Sequence, residues 1–204
     1  MMQRNTRMSM PLGIILAGGR GQRMGGLDKA TLSLGGITLL DHAIARLGPQ
    51  CAALALNSND AAHDANLPLL PDNPPAYAGP LAGVLVGMDW AAQQCARQIV
   101  TVAVDTPFFP DDLVARLQAA CGPSGLCLAA SPDLQGHVQL HPTFGLWPVT
   151  LRHDLRTALA GGMRKLRVWA AQHGAAQALF AATPFDPFFN INTPADLARA
   201  QTLL

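Results

Sequence analysis

The segment LAGGRGQRMGGLDK, residues 16–29, holds five glycines, two arginines and one of only two lysines in the chain. Glycine lets a backbone adopt positive φ and approach a ligand closely. Successive backbone N–H groups can then form a concavity that binds an anion. Arg20, Arg23 and Lys29 add the cations that a polyphosphate needs. The alternative is a flexible surface turn between a strand and a helix. Two known phosphate fingerprints each fail on one residue. GxGxxG starts at Gly19 and Gly21 but meets Met24 where the last glycine belongs. Walker A finds Gly21 and Gly26 at the right spacing, then Leu27 in place of lysine.

Polar residues recur where apolar runs end: Gly18-Gly19, Asn57, Asp72 and Asp105. In open parallel sheets, ligands bind outside the carboxyl ends of the strands. These four ends would therefore line one crevice. The chain has no glutamate, so any carboxylate chemistry falls to aspartate. The histidines suggest no metal site. His137 and His141 are four residues apart, but Pro142 and the apolar run after it argue against a helix. Trp90, Trp147 and Trp169 stand in apolar or amphipathic contexts and read as packing residues.

The elements that must hold these residues alternate. Apolar runs at 13–17, 52–56, 67–70 and 99–104 read as strands, the last a β-branched run suited to a strand covered on both faces. Residues 126–130 and 143–147 add two more. Helical spacing covers 38–47, 80–96, 111–121, 149–160 and 165–173, with Pro80 at an early helical position after Gly79. Thr193-Pro194 signals the start of a last helix over 195–204. Asp111 and Asp112 are read as helix caps. The alternation predicts an α/β fold: a three-layer, Rossmann-like, mainly parallel sheet with helices on both faces.

Composition sets the bounds. At 204 residues, half of them hydrophobic, the chain is expected to form one domain over 1–204 with a core of its own. A net charge of +1 argues against a general nucleic-acid or acidic-membrane surface. Cys51, Cys95, Cys121 and Cys127 include no CxxC pair, and they read as reduced, mostly buried thiols. No apolar run is long enough to span a bilayer. The start is a poor signal peptide, so a cytoplasmic location is expected.

The order of motifs resembles the molybdenum cofactor guanylyltransferase family. That family opens with LAGG, then RMGG, one residue, and DK, as here in residues 16–29. Further on, GPLAGVLVGM (79–88), VDTPFFP (104–110), HPTFGLW (141–147) and FFNINTPADL (188–197) agree in register. One departure is Val104, where many relatives carry cysteine. The resemblance spans the chain. It implies a fold like that of the nucleotide-diphospho-sugar transferases and a Mg²⁺-dependent transfer of GMP from GTP to the terminal phosphate of molybdenum-molybdopterin. The nucleotide and Mg²⁺ would sit on the N-terminal half and the pterin on the C-terminal half.

The resemblance also implies roles. Asp105 would bind Mg²⁺, although an Asp-Thr-Pro turn could be purely structural. Lys29 and Arg23 would neutralise phosphate, and Arg20 stands at a variable position. Leu16, Ala17, Gly18 and Gly19 would present backbone groups to the nucleotide. Asn57 and Asp72 would stand around guanine and ribose, with the reader of the base unassigned between them. Gly79 and Gly83 open a helix whose N-terminus could face an anion; close helix–sheet packing explains them as well. Asn190, Asn192 and Thr193 would help build the pterin side. His141 either touches substrate or is a satisfied structural residue. Lys165, Arg164 and Arg167 form either a basic lip or a solvated helix face.

The implied partners are GTP and the molybdopterin cofactor, with molybdenum-insertion proteins and molybdoenzyme apoproteins or their chaperones next in line, and a monomeric state. CMP transfer from CTP is the nearest alternative. A sugar-phosphate nucleotidyltransferase would need a longer chain. A cofactor carrier that does not turn nucleotide over would not need Asp105 and Lys29. The broken GxGxxG disfavours a dinucleotide-dependent dehydrogenase.

Overall fold

The computed structural model describes residues 10–18, 28–60, 66–73, 79–133 and 135–204. The chain begins with β1 (Leu12–Leu16), followed by a hairpin of β2 (Ser33–Leu34) and β3 (Ile37–Thr38), then α1 (Leu39–Leu47). Next come β4 (Leu54–Asn57), β5 (Leu69–Leu70), α2 (Pro80–Gln93), β6 (Gln98–Ala103) and α3 (Leu113–Ala120). The second half holds β7 (Cys127–Pro132), β8 (Val138–Pro148), α4 (Arg152–Ala160), α5 (Leu166–Gln172), β9 (Ala176–Leu179) and α6 (Pro194–Gln201).

Buried aliphatic runs place the sheet. The LGIIL of β1 is buried along its whole length and pairs in parallel with β4 and β6. The seven-stranded order is β5-β4-β1-β6-β8-β7-β9. Only the β6–β8 and β8–β7 pairings are antiparallel, so the expected mainly parallel sheet is borne out. One face packs Ile15, Leu56, Val100 and Val102 against α1 and α3 through Leu40, Leu47, Leu113 and Leu117. The other packs Ile14, Leu16 and Ile99 against α2, α4 and α5 through Leu81, Leu85, Leu155 and Trp169. Each fully buried side chain contributes about 1.5–3 kcal/mol. Trp147 and Trp169 are fully buried, and their indole N–H groups donate to Thr101 and Asp154. A third cluster, Leu34, Leu39, Phe108, Ile191 and Ala200, fastens α6 and the segment before it to the first hairpin.

Several expectations need correction. Strand β8 is longer than 143–147, because residues 138–141 pair with the end of β7. Helix α2 stops at Gln93 rather than 96, where Cys95 turns left-handed (φ 55°) and Ala96 N–H bonds back to Ala91 C=O. Asp111 and Asp112 do not cap α3 with their side chains. Asp111 pairs with Arg46, and Gln50 Oε1 accepts from Val114 N–H at 2.9 Å instead. By contrast Thr193 caps α6 as expected, in a capping box closed by Asp196. All four cysteines are free, but Cys95 is exposed and Cys121 half-buried, against the expectation of mostly buried thiols.

Candidate active site

The carboxyl ends of β4, β1 and β6 lie side by side. At the β6 end, Asp105 follows the strand by two residues. Its Oδ2 accepts from Lys29 Nζ at 2.7 Å. The same ammonium donates to Asn192 Oδ1 at 2.6 Å. Lys29 reaches this point because the chain re-enters from the glycine loop in a single 3-10 turn, Lys29–Thr31, capped by Asp28 accepting from Ala30 N–H. Asn192 reaches it because the segment before α6 crosses the end of β6. Ile191 N–H donates to Asp105 C=O at 2.8 Å, and Thr106 donates to Asn190. Asp196 holds Asn192 from behind, accepting from its backbone N–H at 3.0 Å. The Thr193 hydroxyl and the backbone N–H groups of Asn192 and Thr193 hold the Asp196 carboxyl below its usual range. Lys29, Asp105 and Asn192 thus come from three separate motifs to one junction.

On the other side of β1, Asn57 closes β4 and is buried. Its Nδ2 donates to Leu70 C=O and to Asp72 Oδ1, both at 2.9 Å. Asn59 brackets Asp72 twice, donating to Oδ2 at 3.2 Å and accepting from its backbone N–H at 2.8 Å. Both Asp72 oxygens are therefore held by amides. Sequence reasoning missed Asn59, although an asparagine two residues beyond a strand end is a recognisable signal. Between the two clusters, Leu16 C=O accepts from Val104 N–H and Ala17 N–H donates to Asn57 C=O. Those two groups are engaged within the sheet rather than offered to a base. Gly18 lies against Asn57: a Cβ there would stand 3.4 Å from Asn57 Oδ1.

Of the two glycines that open α2, each has its own reason. Gly79 takes φ 72°, and among the described residues nothing stands where a Cβ would project and no side chain caps the first turn of the helix. At Gly83 a Cβ would stand 2.3 Å from Asn57 Oδ1 and 2.7 Å from Leu16 Cδ2. Gly83 is thus a close-packing glycine that seats α2 on β1 and β4. Gly19, Arg20 and Arg23 lie outside the described residues. His141 is a satisfied residue, with Nε2 2.7 Å from Ser131 Oγ. Burial lowers its affinity for a proton, opposed by Asp186. Arg164 caps the end of α4 through Leu159 and Met163 C=O, and Lys165 precedes α5 on an exposed face.

Asp105 fits Mg²⁺ as a hard oxygen donor. Lys29 occupies Oδ2, and among the described residues Oδ1 has only a long 3.4 Å contact from Thr106 Oγ1. No group of three or more metal-ligating side chains gathers among the described residues. A single carboxylate suits an ion that takes the rest of its shell from phosphates and water.

The mainly parallel sheet, with charged and amide side chains gathered at its carboxyl edge, has the nucleotide-diphospho-sugar transferase fold. The molybdopterin-guanine dinucleotide biosynthesis protein A of Archaeoglobus fulgidus shares it, with a TM-score of 0.69 at 22% identity over 94% of this chain and 97% of that one. So does the 2-C-methyl-D-erythritol 4-phosphate cytidylyltransferase of Thermus thermophilus, with a TM-score of 0.70 at 21% identity over 96% and 98%. The family model of the MobA-like NTP transferase domain matches residues 13–177, and the chain belongs to that family. A molybdenum cofactor guanylyltransferase of Bradyrhizobium sp. (strain ORS 278) is 48% identical over 99% of this chain and 96% of its own. One from Cereibacter sphaeroides is 49% identical over 94% and 96%. The resemblance carried by the motifs is borne out.

Proposed function

We propose that the protein transfers GMP from GTP to the terminal phosphate of molybdenum-molybdopterin, giving molybdopterin guanine dinucleotide and pyrophosphate. The observation that carries this reading is the meeting of Lys29, Asp105 and Asn192 at the carboxyl end of β6. The names of the relatives supply the substrates.

In the reaction a cofactor phosphate oxygen bonds to the α-phosphorus of GTP while the α–β bridging P–O bond breaks. Such transfers depend on positioning and on neutralising charge. Lys29 is held between two acceptors and donates its remaining N–H to a phosphate oxygen. Arg23 adds a second cation from the glycine loop, whose Gly18 and Gly19 let the backbone approach the phosphates. Asp105 would hold Mg²⁺, and the ion would supply positive charge at the phosphate oxygens. Asn57 and Asp72, fixed by Asn59, stand on the base and ribose side. Gly79 leaves the first turn of α2 open to an anion, while Gly83 lets the helix sit close. Asn190 and Asn192 face the cofactor side. The N-terminal half then serves nucleotide and Mg²⁺, the C-terminal half the pterin, within one domain over 1–204. We place the protein in the cytoplasm as a monomer, passing its product to molybdoenzyme apoproteins or their chaperones.

The test uses GTP labelled at the α-phosphate, with Mg²⁺ and the cofactor. Label in a dinucleotide, with one pyrophosphate released for each, is the expected result. Bound nucleotide with no transfer in either direction would instead favour a carrier.

A further inference from the structure

The HPTFGLW motif takes no part in the steps above, yet its histidine packs on Phe188, in the segment that carries Asn190 and Asn192. Strands β6 and β8 are antiparallel neighbours with Thr101 opposite Gly145. Past that pair β8 shifts register against β7, with Gly145 opposite Leu128 and His141 opposite Ala129. The His141 ring stacks on Phe188, with centroids 4.3 Å apart and planes 21° from parallel. Its Nε2 meets Ser131 Oγ at 2.7 Å, and Ser131 Oγ donates to Asp186 Oδ1 at 3.3 Å. The same Asp186 oxygen accepts from Phe188 N–H at 3.0 Å.

This set of side chains is not a nucleophilic triad. Ser131 is 1% exposed, so no substrate reaches its hydroxyl, and the carboxylate touches the serine rather than the imidazole. The network instead has a direction. Ser131 has one proton and gives it to Asp186, so its oxygen accepts from His141 Nε2–H. That assigns the neutral ring its proton on Nε2.

What the network holds is residues 186–192, which form neither helix nor strand. Phe189 N–H closes a turn onto Asp186 C=O. Asn190 then accepts from Thr106, Ile191 N–H donates to Asp105 C=O, and Asn192 accepts from Lys29. An irregular segment has many conformations to lose, and it stays in one only where anchors over-determine it. One end of this segment is anchored at Asp186 and Phe188, the other at Lys29 and Asp196.

We propose that His141 and Ser131 are positioning residues: through Phe188 and Asp186 they fix residues 186–192 and thereby hold Asn192 on Lys29 and Asn190 on Thr106. They act on the site without touching substrate. The consequence for the cofactor side of the reaction rests on the proposed GMP transfer; the consequence for Lys29 does not.

Lys29 and Lys165 are the only lysines in the chain, which gives an assay that needs no substrate. Contact with Asp105 and Asn192 shields Lys29, while Lys165 is exposed and serves as an internal reference. The purified full-length protein is treated with limiting acetic anhydride, and the ratio of Lys29 to Lys165 acetylation is read by mass spectrometry. Ser131→Ala removes the hydroxyl. His141→Phe keeps a ring over Phe188 but removes the N–H. Both are expected to raise the ratio at least threefold. His141→Gln, which retains an N–H donor, is expected to bring it back toward wild type. In the transfer assay the first two variants should raise KM for the cofactor at least fivefold and leave KM for GTP within twofold.

An unchanged ratio in folded Ser131→Ala and His141→Phe overturns the proposal. If the buried Ser131→Ala fails to fold, His141→Phe, at a half-buried position, decides alone. Equal increases in KM for both substrates overturn the assignment of this segment to the cofactor side. A raised ratio with no transfer by the wild type supports the positioning role and contradicts the guanylyltransferase reading.

Discussion

Lys29 Nζ stands 2.7 Å from Asp105 Oδ2, although 76 residues separate the two in the chain. One closes the glycine loop and the other closes β6, so this pair ties the loop's exit to the sheet edge. Both side chains are about a fifth exposed, at 19% and 21%, which leaves each open to a ligand. Asp105→Asn keeps the shape and the contact but removes the charge. A loss of transfer of about a hundredfold or more is expected, the size found when a preorganised charge-stabilising group is removed. Folding stability should fall by less than the roughly 3–5 kcal/mol of a fully buried pair that is broken, since the asparagine oxygen still accepts from Lys29. Steady-state rates and a thermal melt check both.

Lys29→Arg is expected to behave like Lys29→Ala. The ammonium is a compact point donor that meets two acceptors at 2.7 and 2.6 Å. A planar guanidinium presents its donors in a rigid fork and does not fit the same gap. Activity in the arginine variant within threefold of wild type would contradict a point-donor role.

Gly83→Ala should destabilise the protein and impair nucleotide binding together. The added Cβ would lie 2.3 Å from Asn57 Oδ1 and 2.7 Å from Leu16 Cδ2, so helix or amide must move. Overpacking of this kind costs about 1–3 kcal/mol. Gly79→Ala meets no atoms of the described residues within 4 Å, but φ 72° with ψ −162° is a backbone region nearly confined to glycine, strained for alanine by about 1–3 kcal/mol. Thermal melts and GTP titration should separate the two: weakened GTP binding in Gly83→Ala, and a loss of stability in both.

Acid should act through His141. Burial is the larger influence and lowers its affinity for a proton, with Asp186 opposing. The unfolded chain then takes up a proton below pH 6.5 that the folded chain resists. Protons bound on unfolding exceed those bound when folded, so stability falls as pH drops through that window. His141→Phe should flatten this slope in urea melts between about pH 7 and 5.5, a window set by the ordinary histidine value. An identical slope in the variant would show that other groups carry it. At lower pH the capping boxes of α1 and α6 weaken, because Asp41 and Asp196 are both held below their usual range by threonine bonds.

Thiol reagents should find Cys95 first. It is exposed at the left-handed end of α2. Cys51 and Cys127 are buried, and burial pushes their thiols up to about 12 and about 11. Native-state alkylation followed by mass mapping is expected to show Cys95 modified well before either.

Much of this site was legible because its motifs carry their own structural signals. The β-branched run before Asp105, the glycine cluster before Lys29 and the Thr193-Pro194 cap each mark an element end, and each end holds a site residue. The strand over Ala176–Leu179 was not legible. Its AQAL has no β-branched residue, and it is a strand only because β7 offers a parallel edge. The hairpin of β2 and β3 was overlooked at Gly35-Gly36, whose φ values of 61° and 91° make a turn that glycine permits. Side-chain brackets were the least legible of all. Nothing in the spacing of Ser131 or Asp186 announces that they hold residues 186–192, since those contacts exist only once the sheet has closed.

The most direct measurement offers the purified protein equal GTP and CTP with Mg²⁺ and molybdenum-molybdopterin, and identifies the dinucleotide by mass. The expected product is the guanine dinucleotide, with one pyrophosphate released for each molecule formed. A cytosine dinucleotide would contradict the assignment of the base while leaving the transfer chemistry standing. No dinucleotide at all would contradict the central claim.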